Sequence, residues 1–479
     1  MTQSGAYLAP GVYVDEKNDF PGIVAEVATA VPVFIGYTQK AEHEGKSLLN
    51  RPHRIDGPDE YRKYFGGAPT PKFEIRRKEA GSSQEAVFSL QGQGYCLHRQ
   101  SGRYFLDYSM RLFFANGGGP CYVVSVGSYQ ESITLERLAG GLEPLRQERE
   151  PTLVAVPDAM LLESGAECAA LQRAILEHCG RHARNRFAIL DIYEGPEGGD
   201  DPDRKAIRAF RDAIGTACLG HAAAYYPWLK TTVVGSQDVG PENIGNADLL
   251  QALIEEELGI PRARIDENVM RQSKVFRLSM EDIRKRLNLL PPSGAMAGIY
   301  ALVDRTKGVW KAPANVQVNA VNAPAVMVSD SEQENMNVSP DGKSVNAIQS
   351  FPGEGVLVWG ARTLDSNSAD WRYINVRRTA SMLEESMRLA CGSYAFEPHT
   401  ADTWGMIRSA LSNFLLGIWQ RGGLAGAVPD DAFSVRIGLG QTMTPEDVQA
   451  GTLRVSVLVA LARPGKFIEI AFQQQMQKS

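Results

Sequence analysis

The sequence predicts a multidomain protein of mixed α/β (α+β) class. Its 479 residues exceed what one hydrophobic core usually serves. Strand-like and helix-like periodicities alternate from Leu135 to Val234, the pattern of a layered α/β domain. From Trp359 onward the pattern changes to short strands, two helices and an exposed terminal strand.

The N-terminal stretch reads as a flexible leader over residues 1–11, then a short β-run at Val12-Tyr13-Val14 after Pro10-Gly11. Ile23, Ala25 and Val27 alternate like a second strand. Val31–Gly36 is apolar on both faces, as a buried strand is. Residues 40–103 are polar with a Pro/Gly-rich break at Gly66–Pro71, and 68–103 reads as an outward insertion. Phe105, Tyr108, Leu112 and Phe113 form a helical stripe that ends at Gly117-Gly118-Gly119. Cys121–Val126 follows as a strand.

Thr152–Val156, Phe187–Ile192, Ala222–Tyr226 and Thr231–Val234 then read as strands. Ala166–Ala183 and Ala206–Cys218 read as helices. Segment 235–275 is charged and peripheral, with one helix at Asp248–Leu258. Met280–Leu287 and Ala295–Lys307 are helical. Val316–Val328 is strand-like with Pro324 interrupting its ladder, and Ser329–Lys343 is a polar loop.

In the last quarter, Trp371–Val376 reads as a β-run. Ser381 and Glu384 have capping-box spacing for a helix ending at Gly392. Thr400 or Asp402 caps a second helix whose stripe is Trp404, Ile407, Leu411, Phe414, Leu415, Ile418 and Trp419. Gly422-Gly423 ends it. Thr444-Pro445-Glu446-Asp447 starts a helical turn. Leu453, Val455, Val457, Val459 and Leu461 alternate as a strand. Phe467–Phe472 is strongly β-prone, and such a terminal strand pairs at home or with a neighbour's sheet.

Composition narrows the function. The chain is 43% apolar and 22% charged with a net charge of −6, and no Lys/Arg-dense face points to a nucleic acid. Its six cysteines lack CxxC spacing and read as reduced thiols of a cytoplasmic product. No signal peptide and no run of roughly 18–20 apolar residues is apparent.

Motifs for chemistry fail on inspection. Gly45-Lys46-Ser47 lacks the first glycine of a phosphate loop, since position 40 is Lys40. His178 and His182 have zinc-helix spacing, but Cys179 stands where a metalloprotease needs Glu, so a helix C-terminus is favoured. Gly199-Asp200-Asp201-Pro202-Asp203 lacks calcium-loop spacing and reads as an exposed turn. Gly117–Gly119 follows a helix, the reverse of a dinucleotide fingerprint. No GxSxG elbow is present, and Glu384-Glu385 reads as solvated. No catalytic residue, cofactor or metal is expected.

Several pieces carry a resemblance. They are Pro10–Glu16 (PGVYVDE), Phe113–Gly118 (FFANGG), Gly308–Asn315 (GVWKAPAN), Trp359–Leu364 (WGARTL), Trp371–Arg378 (WRYINVRR) and Phe396-Glu397-Pro398. Gly422–Gly426 (GGLAG) and the closing Pro464…Phe467-Ile468-Glu469 complete the set. Together they resemble the contractile tail sheath family of phages and related bacterial injection machines.

The resemblance implies a tail-sheath-like fold whose extended N- and C-terminal arms exchange strands between subunits. Val12, Tyr13, Val14, Phe467, Ile468, Ile470 and Phe472 are the expected arm residues. It implies a homo-oligomer of stacked hexamers around an inner tube protein, with baseplate and terminator or cap partners, no nucleic acid and no membrane insertion. Arg372, Arg377 and Arg378 are the basic candidates for facing the tube, beside the exposed face of helix 381–391. The implied layout is an arm at 1–20, a β-rich region at 21–130, a middle α/β domain at 131–355, a tube-facing domain at 356–463 and an arm at 464–479. Assembly in a bacterial cytoplasm and residence in a tail or a released particle follow. A non-contractile cap or adaptor is the alternative. Both ends and the middle in one chain favour a phage tail or extracellular particle over a type VI sheath.

Overall fold

The computed structural model describes residues 24–79, 81, 85–194, 205–337, 341–461 and 468–476. Val12–Val14, Phe467 and Gly199–Asp203 lie outside them. The chain divides into one unit of Ala28–Met382 and a second of Leu383–Ser479 with the residues through Val27.

The larger unit is built on a nine-stranded sheet. Its strands are β1 (Pro32–Thr38), β2 (His53–Ile55), β3 (Cys121–Ser128), β4 (Leu153–Ala155), β5 (Phe187–Asp191), β6 (Ala222–Tyr226), β7 (Val316–Gln317), β8 (Val345–Phe351) and β9 (Gly355–Trp359). Their order is β7-β9-β8-β6-β5-β4-β1-β3-β2. The run from β3 to β8 is parallel, and antiparallel strands close both edges.

Burial on both faces explains the apolar runs. In β1, Val33, Ile35 and Tyr37 enter one core while Phe34 enters the other. In β5, Ala188 and Leu190 face the first core, and Phe187 and Ile189 the second. Helices α1 (Leu106–Ala115) and α2 (Ser293–Lys307) cover the second face. Helices Gly165–Glu177 and Lys205–Ala213 cover the first. Gly294 and Gly298 bring α2 onto α1, because a Cβ there would sit 2.5 Å from the Ser109 carbonyl oxygen and 2.4 Å from that of Phe113. The expected α/β alternation is this parallel sheet with its helices.

Two three-stranded antiparallel sheets decorate the unit, beside the two-stranded hairpin of Glu42–His43 and Lys46–Ser47. Residues of the expected insertion form one, with Gln93–Ser101 between Lys72–Arg77 and Phe88–Leu90. In the other, Leu229–Thr231 lies between Leu289–Leu290 and Val321–Pro324.

Several local expectations are corrected. Trp371–Val376 is not a strand, since helix α3 begins at Ile374 and runs to Gly392. Tyr373 and Arg377 start that helix from a backbone bond, and Ser381 lies inside it as a buried hydroxyl. The loop 329–343 contains a helix at Asp330–Asn337, capped by Glu332 bonding back to the Ser329 N–H. Val24–Val27 forms no strand. The helix expected to reach Ala183 ends at Glu177 and passes into a π-turn at His178–His182. One sheet joins strands from both sides of residue 130, and residues 356–382 fall in the larger unit.

The smaller unit holds helix α4 (Ala401–Gln420) and a three-stranded antiparallel sheet, β10 (Phe433–Arg436), β11 (Thr452–Val459) and β12 (Ile468–Gln475). In α4, Ile407, Leu411, Leu415 and Ile418 are buried as their spacing requires, joined by Thr403 and Ala410. Trp404, Phe414 and Trp419 stay half-buried. Thr444 and Asp447 form a reciprocal capping box on the turn Pro445–Gln449.

Candidate functional site

The C-terminal sheet presents the features that bear on assembly. Strand β12 pairs with β11 over eight positions, from Thr452↔Gln475 to Val459↔Ile468. Leu453, Val455, Val457 and Val459 are buried, with Ile470 of β12 against Val457. Ile468 and Phe472 are half-buried.

The opposite face of this sheet is polar. Arg454 reaches Asp447 at 3.0 Å and Gln473 at 3.2 Å, and the Ser456 hydroxyl donates to Glu469 at 2.6 Å. Arg454 holds the Asp447 carboxyl below its usual range. Strand β12 is an edge: among the described residues no strand pairs with its outer side. An edge of this kind offers a row of backbone donors and acceptors to another chain. Within this chain β12 pairs at home.

The expected tube-facing arginines sit elsewhere, in the larger unit. Arg378 is buried and forks onto Asp304 at 2.9 and 2.6 Å, with a third bond to the Thr29 carbonyl at 2.8 Å. Its guanidinium also lies 4.7 Å from the Tyr300 ring centre. Arg377 is buried against the Trp371 ring at 4.1 Å and bonds the Ser381 hydroxyl at 3.1 Å. Arg372 is half-exposed and donates to the Ser366 carbonyl at 2.8 Å. Their sequence pattern, WRYINVRR, does not separate inward from outward arginines, because helix α3 was not apparent there.

Two buried aspartates belong to no sequence motif. Asp158 and Asp191 lie at or just beyond the carboxyl ends of β4 and β5, where open α/β sheets place their ligands. Both carboxylates are instead committed to backbone. Asp158 accepts from the Tyr37 N–H at 2.8 Å and the Phe105 N–H at 2.6 Å, at the start of α1. Asp191 accepts from the Ser293 N–H at 2.8 Å, at the start of α2. Burial pushes their pKa values up to about 6 and about 7. The available signal was an acidic residue following each apolar strand, VAVPD and FAILD.

The other motifs resolve as structure. His178 accepts from the buried Arg186 guanidinium at 2.5 Å, and Arg186 also donates to the Pro151, Leu145 and Glu148 carbonyls. Burial and that cation lower the His178 pKa to about 4. This pairing, not the helix-end carbonyls, occupies the ring. Gly45-Lys46-Ser47 belongs to a tight hairpin in which Glu44 and Gly45 take φ of 51° and 74°. Among the described residues no group of His, Cys, Asp or Glu could hold a metal ion.

Sequence and structure comparisons agree with this architecture. Residues 366–475 match the phage tail sheath C-terminal domain family. The tail sheath protein of Vibrio phage KVP40 is 23% identical over 201 residues, 41% of this chain. The chain matches only 28% of that relative's length.

Among solved structures, the PVC sheath complex of an extracellular contractile injection system, in its contracted state, is 29% identical with a TM-score of 0.60. The match covers 98% of this chain and 97% of that one. A chain of the anti-feeding prophage (AFP) baseplate is 26% identical with a TM-score of 0.61, covering 98% and 100%. The fold is that of a tail sheath protein. The chain resembles contractile injection system sheaths from end to end.

Proposed function

We propose that this chain is a structural sheath subunit of a contractile tail or injection particle. It polymerises as stacked hexameric rings around an inner tube and acts mechanically, not catalytically. The observation that carries this reading is the similarity to the contracted PVC sheath over nearly the whole of both chains. Baseplate and terminator proteins bound the stack, and shortening of the stack drives the tube through a target envelope. The subunit assembles in a bacterial cytoplasm and then resides in a tail or a released particle.

Neighbouring subunits are joined by shared strands. The register of β12 on β11 is available equally to the same strand of an adjacent copy, and residues 12–14 supply the N-terminal counterpart. Each donated strand forms about four to six backbone hydrogen bonds worth roughly 0.5–1.5 kcal/mol each. Burying Ile470 and Phe472 adds roughly 1.5–3 kcal/mol apiece. Such links keep the mesh joined while weaker outer contacts rearrange. Arg388 and Leu389 on the exposed face of α3, with Arg372, are the tube-contact candidates that remain accessible.

Negative-stain electron microscopy of the purified protein, alone and with its tube protein, tests the reading. Striated hollow cylinders are expected, and the double variant Ile468→Asp/Ile470→Asp should give soluble subunits without cylinders. Dispersed particles in both wild-type samples would overturn it.

A further inference from the structure

Independently of assembly, the larger unit carries a cluster of arginines that the sheath reading does not use. Arg99 and Arg103 come from the insertion and the loop after it, and Arg286 from helix Lys274–Leu287. The three line one small cavity with Tyr104, Phe105 and Tyr108. No acidic residue lines it among the described residues.

The charges there oppose one another. Arg99 is lowered in pKa by burial and by the Arg286 charge. Arg103 is lowered to about 10 by burial and by the Arg99 charge. The Nε of Arg286 is held by Asp282 at 2.7 Å on the same helix, which leaves the rest of that guanidinium for the cavity side. For Arg99, the contact is a ring: its guanidinium lies 5.8 Å from the Phe73 centre. Its Nε is buried with no acceptor. A ring face returns less than the hydration that a half-buried guanidinium with a buried Nε gives up. A buried donor without an acceptor among convergent cations calls for a negative ligand.

We propose that this cavity binds one small inorganic anion, held by Arg99 and Arg286 with Arg103 alongside. The space is about 10 Å³, which suits a halide or a single oxygen of an oxyanion at its mouth. A bound anion would fasten the insertion sheet to helix Lys274–Leu287, since its ligands come from both.

Thermal unfolding of the full chain in sodium chloride, sodium phosphate and sodium gluconate at one ionic strength tests this. The bulky gluconate is the control. Chloride or phosphate should raise Tm saturably by about 2 °C over gluconate. Arg99→Leu should remove that dependence and raise Tm in gluconate, because it relieves the repulsion. Amide hydrogen exchange of the wild-type protein should slow over residues 93–103 and 274–289 when chloride or phosphate replaces gluconate. Superimposed curves in all three salts, an equal response in Arg99→Leu, or unchanged exchange in both segments would overturn the proposal.

Discussion

Arg378→Ala is expected to destabilise the larger unit by roughly 3–5 kcal/mol, the cost of leaving a buried charge without its partner. The side chains of Arg378 and Asp304 are only 4% and 5% exposed, so water cannot replace the lost guanidinium at Asp304. The Thr29 carbonyl loses its bond as well. Chemical denaturation should show the loss as a lower midpoint at unchanged slope. Arg378→Met combined with Asp304→Leu should recover most of it, because two apolar side chains need no partner. Arg372→Ala should cost about 1 kcal/mol or less, since it gives up one carbonyl bond at a half-exposed site. An Arg378 variant as stable as the wild type would return that residue to the list of surface candidates.

Asp158→Ala should be comparably damaging, by roughly 3–5 kcal/mol. It strands the buried N–H groups of Tyr37 and Phe105, each costing roughly 1–3 kcal/mol, and uncaps α1. The site has no slack. The register of β1 shifts between Gly36 and Tyr37, which frees the Tyr37 N–H for Asp158. A Cβ on Gly36 would fall 2.5 Å from the same carboxylate. Asp158→Asn keeps one acceptor and should fall between wild type and alanine. The folded pKa of Asp158, about 6, lies above its ordinary 3.8. Stability from this group is therefore full below about pH 4 and declines as pH rises through about 6. Asp158→Asn should flatten that slope in denaturation midpoints measured from pH 4 to 7.

Much of the architecture was legible in the sequence, for reasons these residues illustrate. Strands β1, β3, β5 and β6 announce themselves because burial on both faces makes each a mostly continuous apolar run, with the few buried polar side chains, Thr38, Ser125 and Asp191, as exceptions. Helix α4 and strand β11 show clean periods of 3.6 and 2. The start of α3 was not legible. Trp371, Tyr373, Ile374 and Val376 are aromatic or β-branched and locally favour a strand, yet tertiary packing makes Ile374 onward helical. The arginine pair Arg377-Arg378 looked like a surface cluster because Asp304 is 74 residues from Arg378 in sequence, and Ser381 becomes a neighbour of Arg377 only once the segment is helical. Asp158 and Asp191 were missed because their partners are backbone amides, which every sequence position offers alike. The arginine cavity joins residues 99 and 286, a separation that no motif spans.

The most direct test of strand sharing is a disulfide placed across the β11–β12 pair. Ser456 and Ala471 are register partners on the outer face, at a separation that suits a disulfide between opposed strand positions. Ser456→Cys/Ala471→Cys subunits are oxidised before and after assembly and run on a non-reducing gel. Strand sharing predicts a single-chain band from free subunits and a ladder of covalent oligomers from assembled cylinders. Cylinders that yield only the single-chain band would show that each subunit keeps its own terminal strand, and would contradict the account.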